Sequence, residues 1–304
     1  MNKIFNTFSY LLKRKTPVFK TYDNTIPSFR RLQSNDITSY NKEVILTTYF
    51  TTKKDPQRST FTENDDFNYI KEFYESIIKQ NLHAIIFYDS LSNEFITKYS
   101  CKNIQFIKVN LGPYSLNDER FYIYCEYITL TKPEKIIMAE VNDVIFLKHD
   151  VFDFISSNKL YICKDESFLM YKNSWMLNKI DNLPFDINKL NYSFWEMPIV
   201  NAGVIGGDYT CIKYFLECLI SLFERIDNDK NNNMIVVNIV FHDIFWVKYC
   251  NTLNYKIHHL LDKNWTNILI NKKEISKENF HIGFPFTTQF KKEEITSLAY
   301  IKHK

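Results

Sequence analysis

Long apolar runs are missing from this chain. No stretch reaches the roughly 18 to 20 apolar residues that a membrane span requires, so the sequence predicts no spanning helix. A dominant charge is missing too, since 38 basic and 35 acidic residues leave a net +3. A dedicated nucleic-acid binder concentrates far more positive charge, so no nucleic-acid partner is expected. Basic residues at the mouth of a site could still receive an anionic substrate. Six cysteines (Cys101, Cys125, Cys163, Cys211, Cys218, Cys250) are scattered with no CxxC pair and no zinc spacing. Several sit inside apolar runs and read as reduced core residues, which fits a cytoplasmic compartment.

Glycine is the scarcest structural residue. The chain has five, where average usage of about 7% would give roughly twenty. Three of them, Gly203, Gly206 and Gly207, fall within five positions, and Gly283 stands two residues after His281. Glycine serves where backbone takes φ > 0 or where something must approach closely. The cluster therefore reads either as ligand-contacting backbone or as a tight turn before the helix expected at 209–226.

What is present is a folded, aromatic-heavy composition, 45% apolar with 26 Phe and 20 Tyr. Residues 1–40 read as a lead-in. Ile4, Phe5, Phe8, Leu11 and Leu12 form an amphipathic stripe ahead of Lys13-Arg14-Lys15, suited to docking on the body or to peripheral membrane contact. It has neither the apolar region nor the cleavage site of a signal peptide. From residue 41 to 304 one domain is expected. Strands are predicted at 44–50, 83–88, 104–109, 135–139, 144–147 and 160–163, alternating with helical spacing at 65–80, 91–99 and 118–130. A helix at 209–226, another over 234–250 and a strand near 256–261 complete the pattern. Strand–helix alternation points to an α/β fold with a mostly parallel sheet flanked by helices. The right-handed crossovers of such a sheet put the loops 51–58, 89–90, 110–117 and 140–143 on one rim.

The stretch 132–155 anchors the functional reading. Lys135-Ile136-Ile137-Met138-Ala139 lacks alternation, as a strand buried on both faces does, and it stops at Glu140-Val141-Asn142-Asp143. Carboxylates at such a strand end lie where open α/β sheets hold ligands, and these side chains are hard oxygen donors.

In order, Thr47-Thr48-Tyr49, Glu140-Val141-Asn142-Asp143, Asn201-Ala202-Gly203, Met234…Asn238 and His281-Ile282-Gly283 resemble the motif series of the GT-A nucleotide-sugar glycosyltransferases, glycogenin-like in the broad sense. Asp143-Val144-Ile145-Phe146, with Asp150 and Phe152 downstream, is the closest single match. The resemblance spans roughly 44–290. It departs at the first acid, which is Glu140 rather than Asp, at Asn142, and at Asn233 or Met234, where relatives often carry Asp or Gln.

The resemblance implies a GT-A-like, Rossmann-related domain that transfers a sugar from a nucleoside diphosphate, UDP above all, to a glycan or protein acceptor. It implies Mn²⁺, or Mg²⁺, held by Asp143, Glu140 and His281. Thr48 and Tyr49 would contact the base, and Arg58 or Lys53 the diphosphate. Arg120 would face the rim. Asn142 belongs to the donor site, and Asn201 and Gly203 would line the donor sugar or acceptor. Asp165 and Glu166 are candidates for acceptor binding or base work, which with Asp143 completes the catalytic set.

Two other readings compete. One is a non-catalytic nucleotide- or glycan-binding relative whose altered acidic cluster no longer holds metal. The other is a metal-dependent hydrolase using His242, Asp243 and His281, disfavoured because HExxH and HxH spacings are absent. The Asn-, Lys- and Ile-rich composition fits an AT-rich genome, bacterial or of a large DNA virus, with host cytoplasm as the compartment in the latter case.

Overall fold

A computed structural model describes residues 30–32, 42–170, 173–181, 183, 192–226, 231–252, 274–289 and 298–304. The side chains of 166–168, 192, 251, 252, 274 and 275 are also outside the description. The stripe at residues 4–12 and the strand expected near 256–261 fall outside it.

The first half builds as the hydrophobic pattern dictates. Strands β1 (Glu43–Tyr49), β2 (Ala84–Tyr88), β3 (Ile104–Lys108) and β4 (Lys135–Ala139) are joined by α1 (Phe67–Lys79), α2 (Asn93–Tyr99) and α3 (Leu116–Thr131). Each helix starts on a side-chain cap: Asp66 accepts from the amide of Asn68, Ser92 from that of Phe95, and Ser115 from that of Asp118. Such caps satisfy amides left unpaired in the first turn. The four strands pair in parallel, in the order β3-β2-β1-β4.

The second half adds β5 (Val144–Phe146), β6 (Leu160–Leu169), α4 (Ser174–Asp181), α5 (Tyr192–Trp195), β7 (Pro198–Asp208), α6 (Tyr209–Phe223) and α7 (Asn233–Phe241). A π-helical turn, His242–Trp246, joins α7 to α8 (Val247–Thr252). Beyond it come β8 (Glu274–Ser276), β9 (Phe280–Gly283), β10 (Thr287–Thr288) and β11 (Ile301–His303). Among the described residues the main sheet is eight-stranded, ordered β3-β2-β1-β4-β7-β6-β9-β8. The α/β class is as expected, and four of the seven strand pairings in this sheet are parallel, with antiparallel pairs where β7 and β8 enter. β7 runs antiparallel to both β4 and β6, and β8 to β9.

β4 shows why both faces are covered. Ile136 and Met138 enter a core with α3, α6 and α7, while Ile137 and Ala139 enter a second core with α1. Successive strand residues point to opposite faces, so a strand with no alternation must be buried twice.

The glycine cluster at 203–207, which could have been a tight turn, is instead part of the long strand β7, where Gly206 and Gly207 answer to packing. A Cβ on Gly206 would stand 2.8 Å from Cζ of Phe286. The positive φ falls elsewhere, at Gly283 (80°). β6 likewise runs past its predicted end at Cys163, with its register against β7 shifting after Ile162 and again after Lys164. Asp165 and Glu166 therefore lie within an irregular strand rather than beyond it. No helix among the described residues is long and apolar enough to cross a membrane.

Candidate active site

A cavity of about 340 Å³ opens at the carboxyl ends of β1 and β4, the edge where open α/β sheets hold ligands. Its volume lies within the range of small-molecule sites. Thr48 comes from β1, Arg58 from the loop after it, and Asn142 and Asp143 from the turn between β4 and β5. Asp165 comes from β6, Asn201 from β7, and Asn233 and Met234 from the start of α7. Antiparallel β7 enters the sheet from this rim, which is how a segment 61 positions after Glu140 reaches the same place.

The first turn of α3 ties the site together through three consecutive buried charges. Asp118 accepts from the amide of Asn232 at 3.3 Å, holding the start of α7. Glu119 accepts from Arg31 Nε at 2.7 Å and from the amide of Tyr114, with Lys53 Nζ 3.6 Å away. Arg120 reaches the cavity wall, where Nη1 donates to Glu140 Oε1 at 2.7 Å and Nη2 to the carbonyl of Ala202 at 3.3 Å. Arg120 thus faces the rim as expected. Lys53 is not among the residues that line the cavity, and its ammonium donates to the carbonyls of Gly112 and Tyr114. Arg58 does line the cavity, exposed and 3.1 Å from Asp55.

Alternation along β1 separates the two residues expected at the base. Thr48 lines the cavity, whereas Tyr49 is buried on the other face, with its hydroxyl donating to the carbonyl of Glu63 at 2.6 Å. Phe50 and, from α1, Tyr69 also line the cavity, and the Tyr69 ring packs 5.0 Å from that of Tyr49.

The two histidines exchange places. His281 of β9 is buried beside Phe154 and Tyr161, and its Nε2 donates toward the carbonyls of Gly283 and Phe284 at 3.2 and 3.1 Å. Carbonyls only accept, so that nitrogen carries its proton and has no lone pair for a metal. Burial holds the ring neutral, with a pKa lowered to about 4. The cavity histidine is His303 of β11, which pairs with β5 and lies opposite Val144, next to Asp143. No sequence motif surrounds His303 to point it out; the β5–β11 pairing delivers it.

His303 Nε2 lies 3.7 Å from Glu140 Oε2, and its Nδ1 lies 3.2 Å from Gln289 Nε2 and 3.7 Å from Cys163 Sγ. Gly203 makes the room for it. A Cβ there would overlap His303 Nε2 and stand 2.8 Å from Cε1. The expected ligand contact at Gly203 is thus a contact with a side chain that itself faces the ligand space.

These placements set the electrostatics. Burial alone would push Glu140 up, but the Arg120 guanidinium and His303 hold it down at about 2. Burial lowers His303, yet Cys163 and Glu140 outweigh it and raise it to about 10. Asp143 is raised, by burial first and then by Glu140.

A divalent cation needs several uncommitted ligands converging on one point. His281 is elsewhere, and the two oxygens of Glu140 already face Arg120 and His303. Among the described residues no three His, Cys, Asp or Glu side chains are grouped so as to hold a metal ion. The expected set Asp143, Glu140 and His281 does not fit one.

The remaining expected residues divide between cavity and scaffold. Asn142 and Asn201 line the cavity, and Asn201 Oδ1 also accepts from the amide of Gly203 at 2.7 Å. Asp165 lines it, while the side chain of Glu166 is outside the described residues. Asn238 is buried and clamps α7 to β7, bonding both backbone groups of Val200 and the carbonyl of Met234. His242 is buried between Ser193 Oγ (2.8 Å) and Asp243 (2.9 Å), away from the cavity lining. His242, Asp243 and His281 therefore do not form the shared site that a hydrolase would need. Trp175 of α4, which belongs to no motif, stands exposed at the cavity.

No family model matches the sequence, and no curated protein matches it. Among solved structures, the chain is similar to the galactosyltransferase LgtC in complex with donor and acceptor sugar analogues, at TM-score 0.46 and 11% identity, covering 86% of each chain. It is also similar to an active-site mutant of LgtC, at TM-score 0.45 and 10% identity, again over 86% of each.

Proposed function

We propose that this chain is a glycosyltransferase that moves a sugar from a nucleoside-diphosphate donor, UDP in the first instance, to a glycan or protein acceptor. The observation that carries the reading is one cavity receiving Thr48, the turn 140–143, Asp165 and Asn201, each from a different strand or strand end. Thr48, the acidic turn and Asn201 belong to the ordered motifs that resemble the GT-A glycosyltransferases, so sequence order and spatial convergence support one another.

In this reading Thr48 and Tyr69 hold the base end of the donor, and Arg58 covers its phosphates from the mouth. Arg120 and His303 stand at the acidic turn, where charge builds on the leaving group. Fixed cations at such a position stabilise the transition state more than the ground state. The bond between the sugar anomeric carbon and the phosphate oxygen breaks, and its electron pair leaves with the diphosphate. The acceptor hydroxyl oxygen bonds that carbon and gives up its proton to a carboxylate. Asp165 is the candidate base, Asp143 and Asn201 would position the sugar, and Trp175 offers an exposed ring against which an acceptor could pack.

The test is a panel of UDP- and GDP-sugars, each with and without Mn²⁺, read by release of nucleoside diphosphate. Turnover with at least one donor, lost in Asp165→Asn with circular dichroism unchanged, supports the enzyme. Nucleotide binding with no turnover on any donor or acceptor would instead favour the non-catalytic binding protein.

A further inference from the structure

We propose that Arg120 and His303, held on either side of Glu140, take the leaving diphosphate directly and that no divalent metal is required. The inference rests on the glycosyl-transfer reading and names what neutralises the charge of its leaving group.

Arg120 is 5% exposed and yet lines the cavity. A buried guanidinium ordinarily spends its donors on neighbours. Here Nη1 and Nη2 are engaged with Glu140 and Ala202, which uses two of the five N–H donors a guanidinium carries. The planar fork with donors to spare suits a phosphate, which accepts two parallel bonds from it.

Glu140 explains why this cation is fixed rather than mobile. Its Oε1 lies 2.7 Å from Arg120 and its Oε2 3.7 Å from His303. A carboxylate held between a guanidinium and an imidazole orients both, and with one oxygen already bonded to Arg120 it offers a metal ion little attraction. A metal ion bound to Glu140 would also sit within a few ångströms of the guanidinium, where like charges repel strongly at low dielectric.

The geometry of β11 supports the same assignment. Its pairing with β5 seats His303 beside Asp143, and the amide of Lys304 donates to the Asp143 carbonyl at 2.8 Å. Gly203 supplies the opening His303 needs. Three separate segments are thus shaped around an imidazole and a guanidinium at the place where the resemblance implied a metal.

The experiment uses the full chain, treated with EDTA, and UDP and GDP as probes. Melting temperature and calorimetric affinity are measured in EDTA and again in Mn²⁺. The expected result is a shift by at least one nucleotide in EDTA, with an affinity within about threefold of the Mn²⁺ value, because ligand binding to the native state raises stability by mass action. Arg120→Gln should weaken that binding roughly 10- to 100-fold, the usual worth of hydrogen bonds to a charged group, and Arg120→Lys should restore part of it. Binding seen only with Mn²⁺ overturns the inference and leaves the transferase reading standing. Binding of neither nucleotide under either condition overturns the donor site itself. The wild-type comparison decides the question even where Arg120→Gln fails to fold.

Discussion

Gly203 and His303 fit each other as hole and plug. The α-carbon of Gly203 stands so close to the imidazole that any Cβ would overlap Nε2. Gly203→Ala should therefore displace His303 and cost about 1–3 kcal/mol, as overpacking does. In a His303→Ala background the same change should cost much less. A double-mutant cycle by urea unfolding reads this coupling, and equal costs in both backgrounds would disprove it.

His281 and His303 should separate cleanly in mutants. His281→Ala leaves two carbonyls without their donor and opens a gap beside Phe154 and Tyr161. Stability should fall by about 2–4 kcal/mol while nucleotide affinity of the folded fraction is unchanged. His303→Ala should weaken nucleotide binding with a smaller loss of stability. Calorimetry at a temperature where both variants are folded distinguishes the two.

Asp118 should give the protein a slope against pH. Burial raises its pKa to about 7, outweighing the hydrogen bonds from Ser115 and Asn232 that favour its charged form, and its Oδ1 has no partner. The folded state then binds more protons than the unfolded state between the ordinary carboxylate range and about 7. Stability must fall as pH rises through that window, by at most about 1.4 kcal/mol per unit. Glu196, raised by burial to about 8, adds in the same direction. Asp118→Asn should remove the Asp118 share, seen as a flatter curve of unfolding free energy between about pH 5 and 8.

Asn238 should be structural with a functional echo. Asn238→Ala frees the buried amide and carbonyl of Val200, the residue before Asn201. A loss of about 2–4 kcal/mol is expected, together with reduced turnover as Asn201 shifts. Wild-type stability by denaturant unfolding would count against the clamp.

The site is readable from sequence wherever local pattern and position agree. The unbroken apolar run 135–139 specifies a doubly buried strand, and such a strand must present the next residues, Glu140 to Asp143, at the sheet edge. Thr48 reaches the cavity from the end of a predicted strand, whereas Asn201 reaches it from within β7, a strand that no local pattern announces. Tyr49 does not, and its correction is local: one residue along a strand reverses the face. Asp165 is legible by residue type but not by setting, since no pattern in the sequence announces the shifted register of β6.

Periodicity and capping, which act over a few residues, are enough to lay down the strands and helices of the first half, the rim they share and the acidic turn upon it. They leave open which histidine faces that turn, which cation pairs with Glu140 and why Gly203 is a glycine. Those questions are answered by contacts between residues 20 to more than 160 positions apart. The contacts form through an antiparallel β7 and a β5–β11 pairing whose partners no local pattern names. The stretch 132–155 keeps its place at the centre, with Glu140 changed from an expected metal ligand into the carboxylate that holds Arg120 and His303.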